Sequence, residues 1–163
     1  GSGFGTAVAG VGDVDGDGHA DVAVGAPNHD ASGDSAGRVS VFSGRDGSAL
    51  WHVDGLGMGD EFGRTVAGVG DVDGDGVPDV AATGAQLFNN GPGYVLVCSG
   101  RDGTVLHTLT GTEPGDHFGQ SLAAAGDVDG DGRPDILLGA PGVRRDGKAV
   151  GAVYVFSLAE QER

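Results

Sequence analysis

The nine-residue pattern Asp-x-Asp-Gly-Asp-Gly-x-x-Asp occurs three times in this chain of 163 residues, at 13–21, 71–79 and 127–135. Each copy holds four carboxylates, and the segment that carries them can close into a tight loop only around a cation. At separations of about 5 Å and an effective dielectric constant of about 20, their six pairwise repulsions sum to on the order of 20 kcal/mol. A domain has only about 5–15 kcal/mol of net stability, so the closed loop requires a divalent ion.

Calcium is the ion that this loop chemistry favours. Ca²⁺ takes about six to eight oxygen ligands, and the loop offers carboxylates at positions 1, 3, 5 and 9 and a backbone carbonyl at position 7. Glycine at position 6 permits the sharp turn. Three loops predict three Ca²⁺ per chain, bound by Asp13, Asp15, Asp17, His19 and Asp21; by Asp71, Asp73, Asp75, Val77 and Asp79; and by Asp127, Asp129, Asp131, Arg133 and Asp135.

Other metals and other loop types fit less well. An EF-hand loop needs an acid at position 12 and flanking helices, whereas position 12 here is Val24, Ala82 and Leu138, and a strand pattern follows each loop. Mg²⁺ demands strict octahedral geometry and retains its waters. The loops contain no cysteine and the five histidines share no ligand spacing, so zinc is disfavoured.

The loops belong to a longer internal repeat. A Phe-Gly pair stands nine positions before the first Asp of every loop, at Phe4, Phe62 and Phe118, which gives repeat lengths of 58 and 56 residues. Repeats of this length indicate propellers, solenoids or arrays. We predict one domain over residues 1–163, made of repeats 3–58, 59–115 and 116–163.

Each repeat has the pattern of antiparallel strands. A small-residue strand precedes the Asp loop, an apolar strand follows it, and third and fourth strands are joined by Asp-Gly turns in the first two repeats. No segment has a helical period with caps. The first strands are rich in Gly and Ala, while later strands carry the large side chains of Trp51, Tyr94 and Tyr154. This increase in side-chain size from the first strand to the later ones is typical of β-propeller blades. The sequence predicts an all-β fold with three four-stranded units and eleven strands, since the last unit lacks its outer strand.

Charge and composition exclude several classes of protein. The formal net charge is −15, which argues against a nucleic-acid partner. No apolar run is long enough to span a membrane. Cys98 is the only cysteine, so we expect a small core residue and no internal disulfide. No signal peptide is visible, and Gly1-Ser2 resembles the remnant of a tag.

No nucleophile and base can be paired from the sequence, and the dense carboxylates all belong to the loops, so we expect no catalysis. The Arg-Asp-Gly triplets at 45–47, 101–103 and 145–147 are expected to be turns, and Arg144, Arg145 and Lys148 a solvated loop. The variable loops at 27–37, 86–93 and 141–151 should lie at the opposite strand end from the Asp loops. Loops on a rigid scaffold commonly carry recognition.

The order Phe-Gly, Asp loop, Gly-Ala-Pro resembles the FG-GAP repeat of integrin α-subunit propellers and their bacterial relatives. Phe4-Gly5 is followed by Gly25-Ala26-Pro27, and Phe118-Gly119 by Gly139-Ala140-Pro141. The middle repeat departs from the pattern with Gly84-Ala85-Gln86. The resemblance implies a β-propeller of usually about seven blades, with calcium in the hairpin between the first two strands of a blade. It also implies extracellular or cell-surface recognition or adhesion.

Three repeats are too few for a closed propeller, which normally has about four to eight blades. We therefore expect a partial propeller, either joined to the remainder of a larger ring or paired with a second copy as a homodimer with six blades. The expected function is a calcium-stabilised scaffold that recognises a protein or glycan. The alternatives are the propeller module of a secreted lyase or hydrolase, and a self-assembling chain whose only partner is itself.

Overall fold

Strands are the only regular secondary structure in the computed structural model, which describes residues 1–86 and 91–158. Within these ranges no helix could cross a membrane. The strands are β1 (Ala7–Gly12), β2 (Asp21–Ala26), β3 (Arg38–Phe42), β4 (Ala49–Asp54), β5 (Val66–Gly70), β6 (Asp79–Gly84), β7 (Tyr94–Cys98), β8 (Val105–Thr110), β9 (Ser121–Gly126), β10 (Asp135–Ala140), β11 (Arg144–Arg145), β12 (Lys148–Ala149) and β13 (Ala152–Phe156).

The strands form successive antiparallel meanders, one per repeat. The first sheet has the order β1-β2-β3-β4, the second β5-β6-β7-β8, and the third β13-β10-β9. Each first strand shifts register just before the Asp loop, between Gly10 and Gly12 in β1 and between Gly68 and Gly70 in β5. Gly12 and Gly70 both have a φ of 81°, a conformation that favours glycine and turns the chain into the loop.

The three sheets lie side by side, with β5 next to both β1 and β9. One apolar cluster fills the space between the first and second sheets and includes Val39, Val41 and Leu96. A second cluster lies between the second and third sheets and includes Val97 and Ile136. The middle sheet is therefore covered on both faces, and every residue of β6 and β7 is buried. This is the side-by-side arrangement of propeller blades around a shared inner edge.

The predicted all-β fold is confirmed, and each Asp loop lies between the first and second strands of its unit as expected. The strand number differs, because β11 and β12 form an additional hairpin in the third variable loop, so the described residues hold thirteen strands. Arg144, Arg145 and Lys148 lie in this hairpin and are exposed, around a turn at Asp146-Gly147 with positive φ. Asp-Gly favours such a turn, and the short flanking strands carry no apolar alternation that could have predicted them.

Parts of two predicted features lie outside the described residues. The third sheet shows three strands in the described range, and residues 159–163, where an outer strand would begin, are outside it. Residues 87–90 of the second variable loop are also outside it.

Cys98 and Trp51 both take part in packing within or between the sheets. Cys98 is buried in β7, and burial, followed by the charge of Asp79, raises the pKa of its thiol to about 12. Trp51 on β4 donates its Nε1–H to the carbonyl oxygen of Gly100 at 2.7 Å. This bond joins the outer strand of the first sheet to the hairpin between β7 and β8. Both residues therefore serve packing between or within blades.

An ion pair closes the end of the first sheet. Arg38 donates from Nε to Asp54 Oδ1 at 2.6 Å and from Nη2 to Asp54 Oδ2 at 2.9 Å, and both side chains are about three-quarters buried. The Arg38 hydrogen bonds hold the pKa of Asp54 below its usual value. Two parallel bonds between guanidinium and carboxylate fix the pairing of β3 with β4, because Arg38 and Asp54 are directly opposite in the register.

We predict that Asp54→Asn lowers the free energy of unfolding by about 1 kcal/mol at pH 7. A depressed folded-state pKa contributes stability above the unfolded pKa, and that contribution is lost as pH falls through the folded pKa. The difference between wild type and variant should therefore shrink below about pH 4 in urea unfolding curves. Asp34→Asn, at a carboxyl that forms no ion pair among residues 1–86 and 91–158, is the control. A difference that did not change with pH would contradict the assignment.

Candidate metal centres

The Asp loops are the hairpins between the first two strands of each sheet, β1–β2, β5–β6 and β9–β10. In the first loop the backbone wraps around Asp13. Its Oδ1 accepts the N–H groups of Gly16 at 2.7 Å and Asp17 at 3.1 Å, and its Oδ2 accepts that of Gly18 at 2.8 Å. The same three bonds recur on Asp71 and Asp127 to within 0.1 Å. The three loops thus share one backbone frame.

The carboxylate at position 9 is buried in every loop, at Asp21, Asp79 and Asp135. One oxygen accepts an N–H from position 2 of the same loop at 2.7–2.8 Å. In the first two sheets the other oxygen accepts an N–H from the hairpin after the third strand, from Gly44 at 2.9 Å and Gly100 at 3.0 Å. Asp135 Oδ1 is buried with no partner within residues 1–86 and 91–158. In the first two sheets position 9 therefore ties the loop to the outer half of the sheet.

Three carboxylates in each loop bring ligand atoms within 4.8 Å of one another. These groups are Asp13, Asp15 and Asp17; Asp71, Asp73 and Asp79; and Asp127, Asp129 and Asp135. Two oxygens that each lie about 2.4 Å from the same Ca²⁺ can be at most about 4.8 Å apart. The groups therefore meet the spacing that one calcium ion requires, and their donors are the hard oxygens that it prefers.

The structure groups only part of each predicted ligand set. Asp21 lies outside the first group, and Asp75 and Asp131 lie outside the second and third. Asp75 Oδ2 accepts Arg101 Nε at 3.0 Å, and Asp131 Oδ2 accepts the Ser157 hydroxyl at 3.3 Å. Both partners follow the third strand of their blade, so position 5 of the second and third loops faces polar groups outside the loop.

The electrostatics of the loops differ between positions. Burial raises the pKa of Asp79, and the charges of Asp73 and Asp71 raise it further. The Asp15 pKa is also raised, first by desolvation and then by repulsion from the neighbouring acids. The hydrogen bond from the Val77 N–H, aided by Arg101, lowers the Asp75 pKa. Asp79 and Asp15 thus resist ionisation, and a divalent cation would relieve the repulsion that they experience.

Position 7 was predicted to act through its backbone carbonyl, with a side chain free to vary. The His19 side chain is largely exposed, and its Nδ1 lies 3.2 Å from Asp17 Oδ1. Arg133 behaves differently, because its Nη1 donates to the carbonyl oxygen of Val72 in the preceding loop at 2.9 Å. This contact between blades was missed by the sequence analysis, since position 7 differs in all three repeats and a lone arginine carries no pattern.

A buried acid at the opposite strand end was also missed. Asp60 precedes Phe62-Gly63 and accepts hydrogen bonds from the Tyr94 hydroxyl at 3.1 Å, from Gln86 Nε2 at 2.8 Å and from the Gly57 N–H at 2.7 Å. It fixes the connection that leads from β4 into the second blade. The available signal was Asp two residues before Phe-Gly, which recurs at Asp116 but not in the first repeat.

The comparison with known families agrees with this geometry. The FG-GAP repeat model matches residues 4–42, 62–98 and 118–156. The chain belongs to the FG-GAP repeat family. Each matched segment runs from a Phe-Gly pair, through the Asp loop, to the end of the third strand of a sheet.

Integrin α-subunits are among the relatives of this FG-GAP chain. It is 33% identical over 159 residues to integrin alpha-PS2 of Drosophila melanogaster, with 89% of this chain and 11% of the relative aligned. It is 37% identical to integrin alpha-IIb of Homo sapiens, over 87% of this chain and 15% of the relative. The chain therefore spans only a small part of these proteins.

A solved structure shares the fold at lower sequence identity. An exotype rhamnogalacturonan lyase, YesX, superposes with a TM-score of 0.50 and 22% identity. The alignment covers 90% of the FG-GAP chain and 32% of the lyase. At this identity the likeness concerns the fold alone.

We predict that Arg133→Ala lowers the free energy of unfolding by about 1 kcal/mol, because it removes the bond that joins the second and third loops. His19→Ala changes the equivalent side chain of the first loop, which is largely exposed, and should change stability by less than about 0.5 kcal/mol. Urea unfolding of both variants in millimolar calcium provides the measurement. Equal effects of the two substitutions would contradict the structural role of Arg133.

Proposed function

We propose that this FG-GAP chain is a non-catalytic, calcium-stabilised β-propeller scaffold with three Ca²⁺ per chain. The observation that carries the proposal is the convergence of three carboxylates within 4.8 Å on the same backbone frame in all three hairpins. In each loop the proposed ligands are the carboxylates at positions 1, 3, 5 and 9 and the carbonyl at position 7. Calcium would supply the charge that holds the loop closed, and its role would be structural.

We further propose that recognition of a protein or glycan occurs at the strand ends opposite the Asp loops. The loop from β2 to β3 and the connection from β4 to β5 meet there, since Gly59 and Glu61 donate backbone N–H groups to the carbonyls of Asp34 and Ser35. Surface loops anchored in this way to rigid sheets are suited to binding. The kinship with integrin α-subunits supports adhesion at an extracellular or cell-surface location.

An enzymatic alternative is a propeller module of a secreted lyase or hydrolase. The likeness to a rhamnogalacturonan lyase favours it, although that likeness concerns the fold alone. Incubation of the chain with pectic polysaccharides, followed by ultraviolet detection of unsaturated sugar products, distinguishes the two functions. Product formation in proportion to the chain concentration would overturn the non-catalytic proposal.

We propose that the blades correspond to repeats 3–58, 59–115 and 116–163 of a single domain. The outer faces of the first and third blades would pack against further blades, supplied either by the remainder of a larger propeller or by a second copy of the chain.

Calcium removal is expected to lower the melting temperature by at least about 10 °C, because each bound ion stabilises only the folded loops. Thermal unfolding followed by circular dichroism, in millimolar calcium and in excess chelator, measures this shift. Addition of calcium should restore the original curve. A melting temperature that is unchanged by chelator would refute a structural role for calcium.

Single-loop variants should lose one ion each. Asp17→Ala, Asp75→Ala and Asp131→Ala remove position 5 from the first, second and third loops, and each is expected to reduce the bound calcium by about one ion per chain. Equilibrium dialysis with elemental analysis counts the ions. Asp46→Ala, in the hairpin after β3, is the matched control and should leave the count unchanged. Unaltered counts in all three loop variants would contradict the predicted ligands.

A further inference from the structure

The three Asp loops share one backbone frame, but the rest of the chain satisfies their carboxylates to different degrees. A buried carboxylate oxygen without a donor is costly, whereas one that already accepts hydrogen bonds or faces a cation has less to gain from a metal ion. Calcium should therefore bind most tightly to the loop whose carboxylates are least satisfied without it. The partners of positions 5 and 9 are the ones that differ between the loops.

The second loop is the most completely satisfied. Arg101, in the hairpin after β7, donates from Nε to Asp75 Oδ2 at 3.0 Å. Arg133 donates from Nη1 to the carbonyl oxygen of Val72 at 2.9 Å. Both oxygens of the buried Asp79 accept backbone N–H groups. Two guanidinium groups thus bring positive charge to this loop, and a calcium ion would have to share its ligands with one of them.

The third loop is the least satisfied. Asp135 is 1% exposed, and its Oδ1 has no hydrogen-bond partner within residues 1–86 and 91–158. The equivalent oxygens of Asp21 and Asp79 accept the N–H groups of Gly44 and Gly100. Asp135 also belongs to the group of three carboxylates whose ligand atoms lie within 4.8 Å of one another. It therefore combines a place among the metal ligands with a buried oxygen that needs a partner.

A single sequence difference explains the missing N–H group. The residue after the serine that follows the third strand is Gly44 in the first blade, Gly100 in the second and Leu158 in the third. A Cβ at Gly44 would overlap the carbonyl oxygen of Ala20, and one at Gly100 would overlap that of Pro78. Leucine in the same position would create this overlap, so Leu158 does not supply the third N–H; its side chain is buried in the second apolar cluster.

The first loop is intermediate between the other two. Both oxygens of Asp21 accept backbone N–H groups, as in the second loop. Position 5 lacks a guanidinium partner, because Asp17 Oδ1 faces only the largely exposed His19 ring, at 3.2 Å from Nδ1. Arg45, the equivalent of Arg101, forms no ion pair among the described residues 1–86 and 91–158. Its buried acid is thus satisfied, while its position 5 remains available to a metal ion.

We propose that the three loops form a graded series of calcium sites, in which the third binds calcium most tightly, the first less tightly and the second most weakly. The inference rests on the proposed calcium-stabilised scaffold, because it assumes the same ligands. As calcium falls, the second loop releases its ion first. That loop lies in the sheet whose strands β6 and β7 are buried throughout, so packing from both neighbours holds this blade when its ion leaves.

Nuclear magnetic resonance of the full chain during a calcium titration reads the three loops separately. Gly18, Gly76 and Gly132 donate their N–H groups to the position 1 carboxylate of the first, second and third loops, so their amide signals report on each loop. The Gly132 signal should change at the lowest calcium concentration and the Gly76 signal last, with midpoints at least about tenfold apart. Equal midpoints, or any other order of the three, would overturn the graded series.

Arg101→Gln tests the cause of weak binding in the second loop. Removal of the guanidinium charge should lower the Gly76 midpoint by about fivefold, because calcium no longer competes with it for Asp75. Arg45→Gln is the matched control in the first blade and should leave the Gly18 midpoint unchanged. An unchanged Gly76 midpoint, or equal shifts from the two variants in their own loops, would overturn the role of Arg101.

Two variants of Leu158 test the cause of tight binding in the third loop. Leu158→Ala and Leu158→Gly remove the same packing, but only glycine allows the backbone to approach as at Gly44 and Gly100. The Gly132 midpoint of Leu158→Gly should therefore lie about tenfold above that of Leu158→Ala, because the restored N–H satisfies Asp135 without calcium. Identical midpoints in the two variants would overturn the role of the unpaired oxygen.

The same titration keeps the two proposals distinct. Three ions per chain with equal midpoints would overturn only the graded series and leave the calcium-stabilised scaffold in place. A wild-type chain whose amide signals do not respond to millimolar calcium would overturn the scaffold itself, and the series with it.

Discussion

The packing of one sheet against the next is the interaction on which the rest of the structure depends. A meander of four short strands has a narrow apolar face on each side and little stability alone. Here the middle sheet is covered on both faces, and its two central strands, β6 and β7, are buried throughout. The outer sheets have one covered face each, which makes their cores extensions of the middle one. Stability therefore belongs to the stack of blades and is shared between neighbours, as in other repeat proteins.

The Asp loops add an electrostatic constraint to this packing. Their first carboxylate organises the backbone of the loop. In the first two blades the last carboxylate, buried in the sheet, also accepts an N–H group from the hairpin after the third strand. A loop of this kind connects the first two strands of a blade and also positions the outer half of that blade. The arrangement concentrates negative charge in the loop, and a bound divalent cation would neutralise this charge.

Much of this organisation could be predicted from local sequence. Alternating apolar residues, glycines and Asp-Gly turns act over a few residues, so the strands and hairpins followed from them, as did the burial of Cys98. The grouping of carboxylates was only partly predictable, because Asp75 faces Arg101 and Asp131 faces Ser157 across the sheet. Such partners are distant in sequence, and nothing in the loop itself identifies them. The β11–β12 hairpin was missed because its strands are too short to show a period.

The sequence by itself determined the repeat, the four-strand pattern and the position of every Asp loop, since each depends on backbone conformations and charges that neighbouring residues dictate. Only the tertiary structure decided how the blades are joined, through Arg133 and the Val72 carbonyl, Trp51 and the Gly100 carbonyl, and the glycines on which Phe62 and Phe118 rest. The contacts between blades depend on shape and orientation, which arise only when residues as far as 61 positions apart in the sequence are brought together.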